Sequence, residues 1–534
     1  MPPPAAITTR FAYQRSPDQD ANTPPHHPII VVGAGPVGLT LAIDLAQRGQ
    51  PVLLLDDADR IGEGSRAICF SKRALEVWDR LGAAAPMLAK GVTWQRGKIF
   101  SGEDELFRFD LLPEGGHKMP AFINLQQYYA EAFLVARAGE LGNLDLRWKN
   151  RVTAVIQDDA GVHVTIETPD GPYTVAAARL VACDGARSPI RAMLGADFVG
   201  ETFEDQFLIA DVKMDATFPT ERWFWFDPPF HPGRSALLHK QPDNLWRIDL
   251  QLDRDADPEV ERDPGRVRAR LTRMLGHGDF SFEWISLYRF QCRRMHRFVH
   301  GRVIFAGDAA HQVSPFGARG ANSGIEDAEN LAWKLDAIAR GAPAAALLAS
   351  YETERIEAAD DNIRNSTRAT DFIAPATGYE RMLRTTTLRL ARHHDFAKRM
   401  VNAGRLSQPT AYTSPLSTPD ADIWFNGPPP GATLVDAPLR DPSGNPAFLT
   451  DAFRHAGRTF TLLRHGQGAP LPGAATIVIG SHDWHDTEGL FAQRYDTRPG
   501  DAYLLRPDGY VACRLRSAEL PHLHAALTRA RGKT

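Results

Sequence analysis

Gly307 and Asp308 close a short apolar run, Val303 to Ala306. From Gly317 the chain passes through a loop of small residues into Ile325, Ala328, Leu331, Leu335 and Ile338 at helical spacing. The first turn of a helix leaves backbone N–H groups without partners at the positive end of the helix dipole, so this unit favours negative charge in front of it. Asp308, on the strand side, offers a carboxylate to sugar-like hydroxyls. An anion on one side and a polyol on the other point to a nucleotide-type cofactor.

A second, independent half of such a site lies near the start. Ile29 to Val32 form an apolar strand leading into Gly33-Ala34-Gly35-Pro36-Val37-Gly38, a helix continues through Leu39 to Gln47, and a second strand, Val52 to Leu55, closes on Asp56. Glycines at this spacing let a backbone approach a pyrophosphate at a helix N-terminus, and an acid about twenty residues on meets the ribose hydroxyls. Strand, glycines, helix, strand and acid occur in order, which points to an ADP-containing cofactor.

The elements that must position these residues are interleaved with a different pattern. The chain has 534 residues and a net charge of -4, enough for several domains and no basis for nucleic-acid or anionic-membrane binding. Its four cysteines, Cys69, Cys183, Cys292 and Cys513, lack metal or redox spacing, and the histidines show no ligand motif, so no metal is expected and a cytoplasmic, reducing setting is. No apolar run is long enough to span a membrane, and residues 1–28, proline-rich and polar, read as an N-terminal arm. Between Phe203 and Gln291 apolar residues alternate, as in Leu208 to Met214 and Trp246 to Leu252, which predicts a sheet with one buried face. The expected division is a nucleotide-binding domain over 29–200 and 290–400, an inserted sheet domain over 201–289, a proline- and glycine-rich linker over 401–430, and a smaller βα domain over 431–534.

Three segments together, GAGPVGLTLA from Gly33, CDGARS from Cys183 and GDAAHQVSPFGARGANSGIEDAENLAWKL from Gly307, resemble the signatures of the single-component FAD-dependent aromatic hydroxylases. The resemblance spans roughly residues 29 to 400 and extends past 430 to the branch containing 3-(3-hydroxyphenyl)propionate hydroxylase and phenol hydroxylase. It implies an α/β fold: a Rossmann-like FAD-binding domain, an inserted mixed β-sheet substrate domain and a thioredoxin-like C-terminal domain. That last domain has no CxxC pair and hence no expected thiol chemistry. The implied reaction consumes NADH or NADPH and O2, and hydroxylates a phenolic or related small aromatic substrate through a C4a-hydroperoxyflavin. Another oxidation on the same fold, such as epoxidation, Baeyer-Villiger insertion, N-hydroxylation or dehydrogenation, is the alternative, followed by a non-catalytic FAD-binding module. A homodimer is left open.

The resemblance also assigns roles. Gly33, Gly35 and Gly38 line the FAD pyrophosphate, Asp56 the adenosine ribose, and Arg66 and Gln127 reach the cofactor. Asp184 and Gly185 fall on a motif linked to FAD and pyridine nucleotide, Gly307 and Asp308 on the ribityl chain, and Gly320, Ala321 and Asn322 open the helix aimed at the flavin. Pro315 matches a proline whose backbone carbonyl sits beside the reacting ring. Arg319 replaces a commoner neutral residue and either strengthens stabilisation of reduced flavin or attracts a substrate carboxylate. A base histidine of some relatives, two residues past the position of Arg66, is here Ile68. His239 is the candidate catalytic group on the inserted sheet, with Arg247, Asp249 and Tyr288 as further polar candidates and Phe224, Trp225 and Trp246 as pocket walls.

Overall fold

The computed structural model describes residues 7–62, 66–401, 408–480 and 483–533, and the backbone alone of Glu204. Five strands, Val303–Phe305, Tyr173–Ala182, His26–Val32, Val52–Leu55 and Leu144–Arg147, lie side by side in parallel. Ile29 to Val32 and Val52–Leu55, in the two central strands, read as unbroken apolar runs because both faces of the sheet are covered there. Val32 pairs with Ala182 and with Leu55, and Ala182 pairs with Phe305. The strand ends are therefore flush, and four turns, at Gly33, Asp56, Asp184 and Gly307, leave from one edge. In open parallel sheets, that carboxyl-end edge is where ligands bind.

A second sheet of eight strands runs in the order His311–Gln312, Ser281–Arg294, Val199–Lys213, Leu245–Gln251, Ser235–Lys240, Arg222–Phe226, Arg96–Ser101 and Asp104–Asp110. One face packs Leu208, Ala210, Val212, Trp246, Ile248 and Leu250 against Val267 and Leu271 of helix Pro264–Leu275. The other faces the first domain, where Phe316 packs edge-on against Phe207 and Phe290. Two strands from residues 96–110, within the span expected for the nucleotide-binding domain, complete this sheet, because Arg222–Phe226 needs a partner on its free edge and takes Arg96–Ser101 in parallel. Sequence spacing gives no sign of this pairing across more than a hundred residues.

The N-terminal strand starts at His26, inside the expected arm, since the backbone of His26 and His27 pairs with Ala176 and Ala177 despite the polar side chains. The described part of the arm is docked: Phe11 stacks on Trp148 at 4.3 Å between ring centroids. Beyond residue 408 the expected linker is also packed down, with Tyr412 buried and stacked on Tyr510. The C-terminal unit is a four-stranded mixed sheet, Ala475–Ile479, Thr461–His465, Ala502–Leu505 and Val511–Leu515, flanked by helices, an arrangement compatible with a thioredoxin-like domain. Among the described residues no helix is long and apolar enough to cross a membrane.

Candidate cofactor cradle and the facing sheet

The glycines at the sheet edge are required by space. A Cβ on Gly38 would stand 1.9 Å from the Gly33 carbonyl oxygen, and one on Gly33, which has φ +105°, would stand 2.4 Å from that of Cys183. Gly35 differs: nothing lies within 4 Å of where its Cβ would be, so the protein leaves open room in front of the N-terminus of helix Pro36–Gln47. The room suits a pyrophosphate, which needs close backbone approach and unpaired N–H groups. On the far side, Val37 wedges between Gly307 and Gly324, locking this turn to helix Gly320–Ala339.

Four carboxylates ring the cradle. Asp56 accepts from the backbone N–H of Ala34 at 2.6 Å and of Ala58 at 2.9 Å; burial raises its carboxyl and these bonds oppose the rise. Asp184 keeps one buried oxygen without a partner, its other oxygen accepting from Ile190 N–H at 3.1 Å. Asp308 is open to solvent yet crowded by protein, which raises its carboxyl against the pull of His311 and Arg66. Glu131, a residue the sequence reading passed over, accepts from Gly62 N–H at 2.7 Å and from Gln127 Nε2 at 2.7 Å. Gln127 in turn accepts from Ala67 N–H at 3.1 Å, so its amide orders the segment around Arg66. An orphaned acceptor, an open glycine and solvent-facing acids on one edge fit the pyrophosphate and hydroxyls of FAD.

Asp327 is a further residue that no motif spacing singles out. It accepts from Gly307 N–H at 2.8 Å, from His311 Nε2 at 2.6 Å and from Arg355 Nε at 2.5 Å, fully buried. Burial would raise its carboxyl, but His311 and Arg355 outweigh that and hold it at about 2. It therefore fixes the Gly307 turn as a charged strut.

The second sheet turns a polar face to this edge. In its antiparallel ladder Leu237 lies opposite Asp249, His239 opposite Arg247, and Arg247 opposite Asp211, so these side chains share one face. Arg247 is spent: it donates to Asp211 at 2.9 and 3.1 Å and to the Arg66 carbonyl at 3.3 Å, joining the second sheet to the loop at Arg66. His239 is buried with Nε2 unbonded and is held well below the usual histidine range by burial and by the Arg222 and Arg247 cations. Burial lifts Asp249 to about 6, against Arg247 and Arg222. Trp225 and Trp246, expected as pocket walls, belong to the opposite face with helix Pro264–Leu275, whereas Phe224 is on the site side. Arg222 was hidden by the aromatic run that follows it.

An FAD binding domain model matches residues 26–366, and a model for the aromatic-ring hydroxylase C-terminal domain matches residues 427–534. The chain belongs to the FAD-dependent aromatic hydroxylase family. A 12-dehydrotetracycline 5-monooxygenase/anhydrotetracycline 6-monooxygenase of Streptomyces rimosus is 31% identical over 90% of this chain and 94% of its own. A 3-(3-hydroxy-phenyl)propionate/3-hydroxycinnamic acid hydroxylase of Mycolicibacterium smegmatis is 29% identical over 69% and 65%. The solved structure of the flavin-dependent monooxygenase PieE in complex with FAD and substrate superposes with a TM-score of 0.81, at 24% identity, over 96% of this chain and all of that one.

In this hydroxylase the side chain of Asn322 is a staple. Its Oδ1 accepts from Ser71 N–H at 2.9 Å and its Nδ2 donates to the Cys69 carbonyl at 3.0 Å, which fixes the first turn of the helix at Gly320, Ala321 and Asn322. Arg319 caps that helix with its guanidinium buried, donating to Asn362 Oδ1 at 2.9 Å, with Glu326 near enough to feel its charge. It is turned into the protein. The Pro315 carbonyl accepts from Ala318 N–H at 3.0 Å while the ring is exposed.

Proposed function

We propose that this hydroxylase uses NADH or NADPH and O2 to add a hydroxyl group to an aromatic compound that itself carries an ionisable ring hydroxyl. The observation that carries the reading is the meeting of two surfaces: a cradle shaped for FAD at the edge of one sheet, and a face of unpaired polar groups on the other. Bound there, FAD would supply the redox chemistry: hydride acceptance from the pyridine nucleotide and oxygen activation. Gly33, Gly35 and Gly38 would receive the pyrophosphate, Asp56 the ribose, Asp308 the ribityl hydroxyls, and the first N–H groups of helix Gly320–Ala339 the pyrimidine edge. Those donors stabilise negative charge without reorganisation, because the staple at Asn322 holds them in place.

Over nearly the whole chain, the tetracycline-type relative is 31% identical and a 6-methylpretetramide 4-monooxygenase 30%, against 27% for a 3-(3-hydroxy-phenyl)propionate/3-hydroxycinnamic acid hydroxylase of Mycobacterium sp.. This supports fused-ring phenols over single-ring phenolic acids as the substrate class. The test is NAD(P)H oxidation by the FAD-loaded enzyme against both classes, with product mass measured. A gain of one oxygen atom on a fused-ring phenol is expected. Substrate-independent oxidation with no oxygenated product from either class overturns the reading.

A further inference from the structure

Among the polar atoms that the protein leaves without partners on the sheet face opposite the cradle are His239 Nε2, one carboxylate oxygen of Asp249, one terminal nitrogen of Arg222 and Ser286 Oγ. Trp223 pairs with Leu238, which puts Arg222 beside His239 on the same face as Asp249. An acid and a cation that sense each other, yet each keep an atom free, leave a place for a group that donates to the first and accepts from the second. A ring hydroxyl about to ionise is such a group.

We propose that Asp249 takes the proton from the substrate's ring hydroxyl and that Arg222 holds the resulting oxyanion, with the neutral His239 ring bonded beside it. The assignment rests on the reading of the enzyme as an aromatic hydroxylase. The substrate O–H bond breaks, its electron pair stays on oxygen, and the proton forms an O–H bond on Asp249. Nothing is oxidised or reduced in the step. The oxyanion raises electron density on the ring, as electrophilic oxygen transfer requires.

The neighbours single out Asp249. The charged and titratable groups around it are Arg247 on its own strand, Asp211 on the next, Arg222 across the hairpin, and Cys69 and His239. His239 is a poor base there, because burial and two guanidinium groups oppose its protonation. Cys69 is pushed up to about 11 by burial and stays a thiol. Asp211 is consumed by Arg247. Asp249, near 6, is ionised at neutral pH and still able to hold a proton, which is what a general base needs.

The test adds 4-nitrophenol or 2-naphthol, whose anions differ optically from the neutral phenols, to the FAD-loaded enzyme about one pH unit below each probe's own pKa. The wild-type enzyme is expected to bind the anion. Asp249→Asn should bind the neutral phenol with FAD content unchanged, Asp249→Glu should restore anion binding in part, and Arg222→Gln should weaken binding of the anion. Turnover of Asp249→Asn should fall about 10²- to 10⁴-fold and lose the acid limb of its pH profile. An Asp249→Asn enzyme that still ionises the probe and keeps that limb overturns the assignment while leaving the hydroxylase reading intact. A wild type that binds neither probe in either form overturns the phenolic reading together with it.

Discussion

Asn322 Oδ1 accepts the Ser71 backbone N–H at 2.9 Å across a sequence separation of 251 residues. With the bond from Asn322 Nδ2 to the Cys69 carbonyl, it ties the first turn of helix Gly320–Ala339 to the strand preceding helix Lys72–Leu81. Asn322→Ala removes both bonds and leaves two buried backbone groups unsatisfied, at about 1–3 kcal/mol each. The expected result is a lower denaturation midpoint and weaker FAD binding; unchanged values of both would refute the staple.

Gly35 and Gly38 separate ligand space from packing space. Gly35→Ala adds a methyl where the protein is empty, at φ -77° and ψ -176°, which alanine accepts, so apo stability should stay within about 0.5 kcal/mol while FAD affinity drops. Gly38→Ala drives a methyl into the Gly33 carbonyl and should cost about 1–3 kcal/mol even without FAD. Flavin fluorescence titration alongside urea unfolding distinguishes the two.

Acid should weaken the fold through its buried, ion-paired carboxylates. Asp327 is held at about 2, and Glu354 is held low by Arg506 and Lys334 against its own burial. A carboxylate depressed on folding contributes stability that is full above its unfolded pKa, near 4, and is lost as pH falls through the folded value. Asp327 alone accounts for about 2 kcal/mol lost between about pH 4 and 2. Stability measured against pH should slope accordingly, and Asp327→Asn should flatten the slope.

Arg506 donates to both oxygens of Glu354, at 2.6 and 3.0 Å, fully buried between the C-terminal unit and helix Ala344–Ile373. Removing one partner, as in Glu354→Gln, leaves Arg506 with only Asp508 for its charge and should cost about 3–5 kcal/mol. Thermal unfolding that showed no loss would mean the C-terminal unit is not braced here.

The polar face is kept at the expense of stability. Asp249 is raised on folding, so the folded state holds its proton longer than the unfolded chain, and wild type should lose stability as pH rises from about 4 to 6 whereas Asp249→Asn should not. His239→Leu removes an unsatisfied buried nitrogen and should leave the melting temperature unchanged or higher while weakening substrate binding. A melting temperature that falls sharply would make His239 a packing residue.

Arg319→Met addresses the cation at the helix end. Its guanidinium is bonded to Asn362 inside the protein, so the expected effect is slower flavin reduction with substrate affinity preserved, read by stopped-flow absorbance and by substrate titration. Lost substrate affinity with normal reduction would reverse that assignment.

The FAD cradle was legible in the sequence because it is local. Strand, glycine turn and helix are contiguous, and the backbone itself demands Gly33 and Gly38, whose absent Cβ atoms make room for neighbouring carbonyls. The alternation over the inserted sheet was legible too, but period two yields two faces without saying which looks inward. Here both are buried, so Trp225 and Trp246 passed for pocket walls while Arg222 was masked by Trp223 to Phe226. Asp327, Glu131 and the Glu354–Arg506 pair escaped notice for another reason. A buried charge declares itself only through a partner, and those partners come from turns, helices and a domain far away in the chain. The sequence by itself determined the cofactor and the order of the elements. Tertiary structure alone decided which polar groups face it, because that depends on how two sheets pack, and strand periodicity sorts residues into two faces without naming what each face packs against.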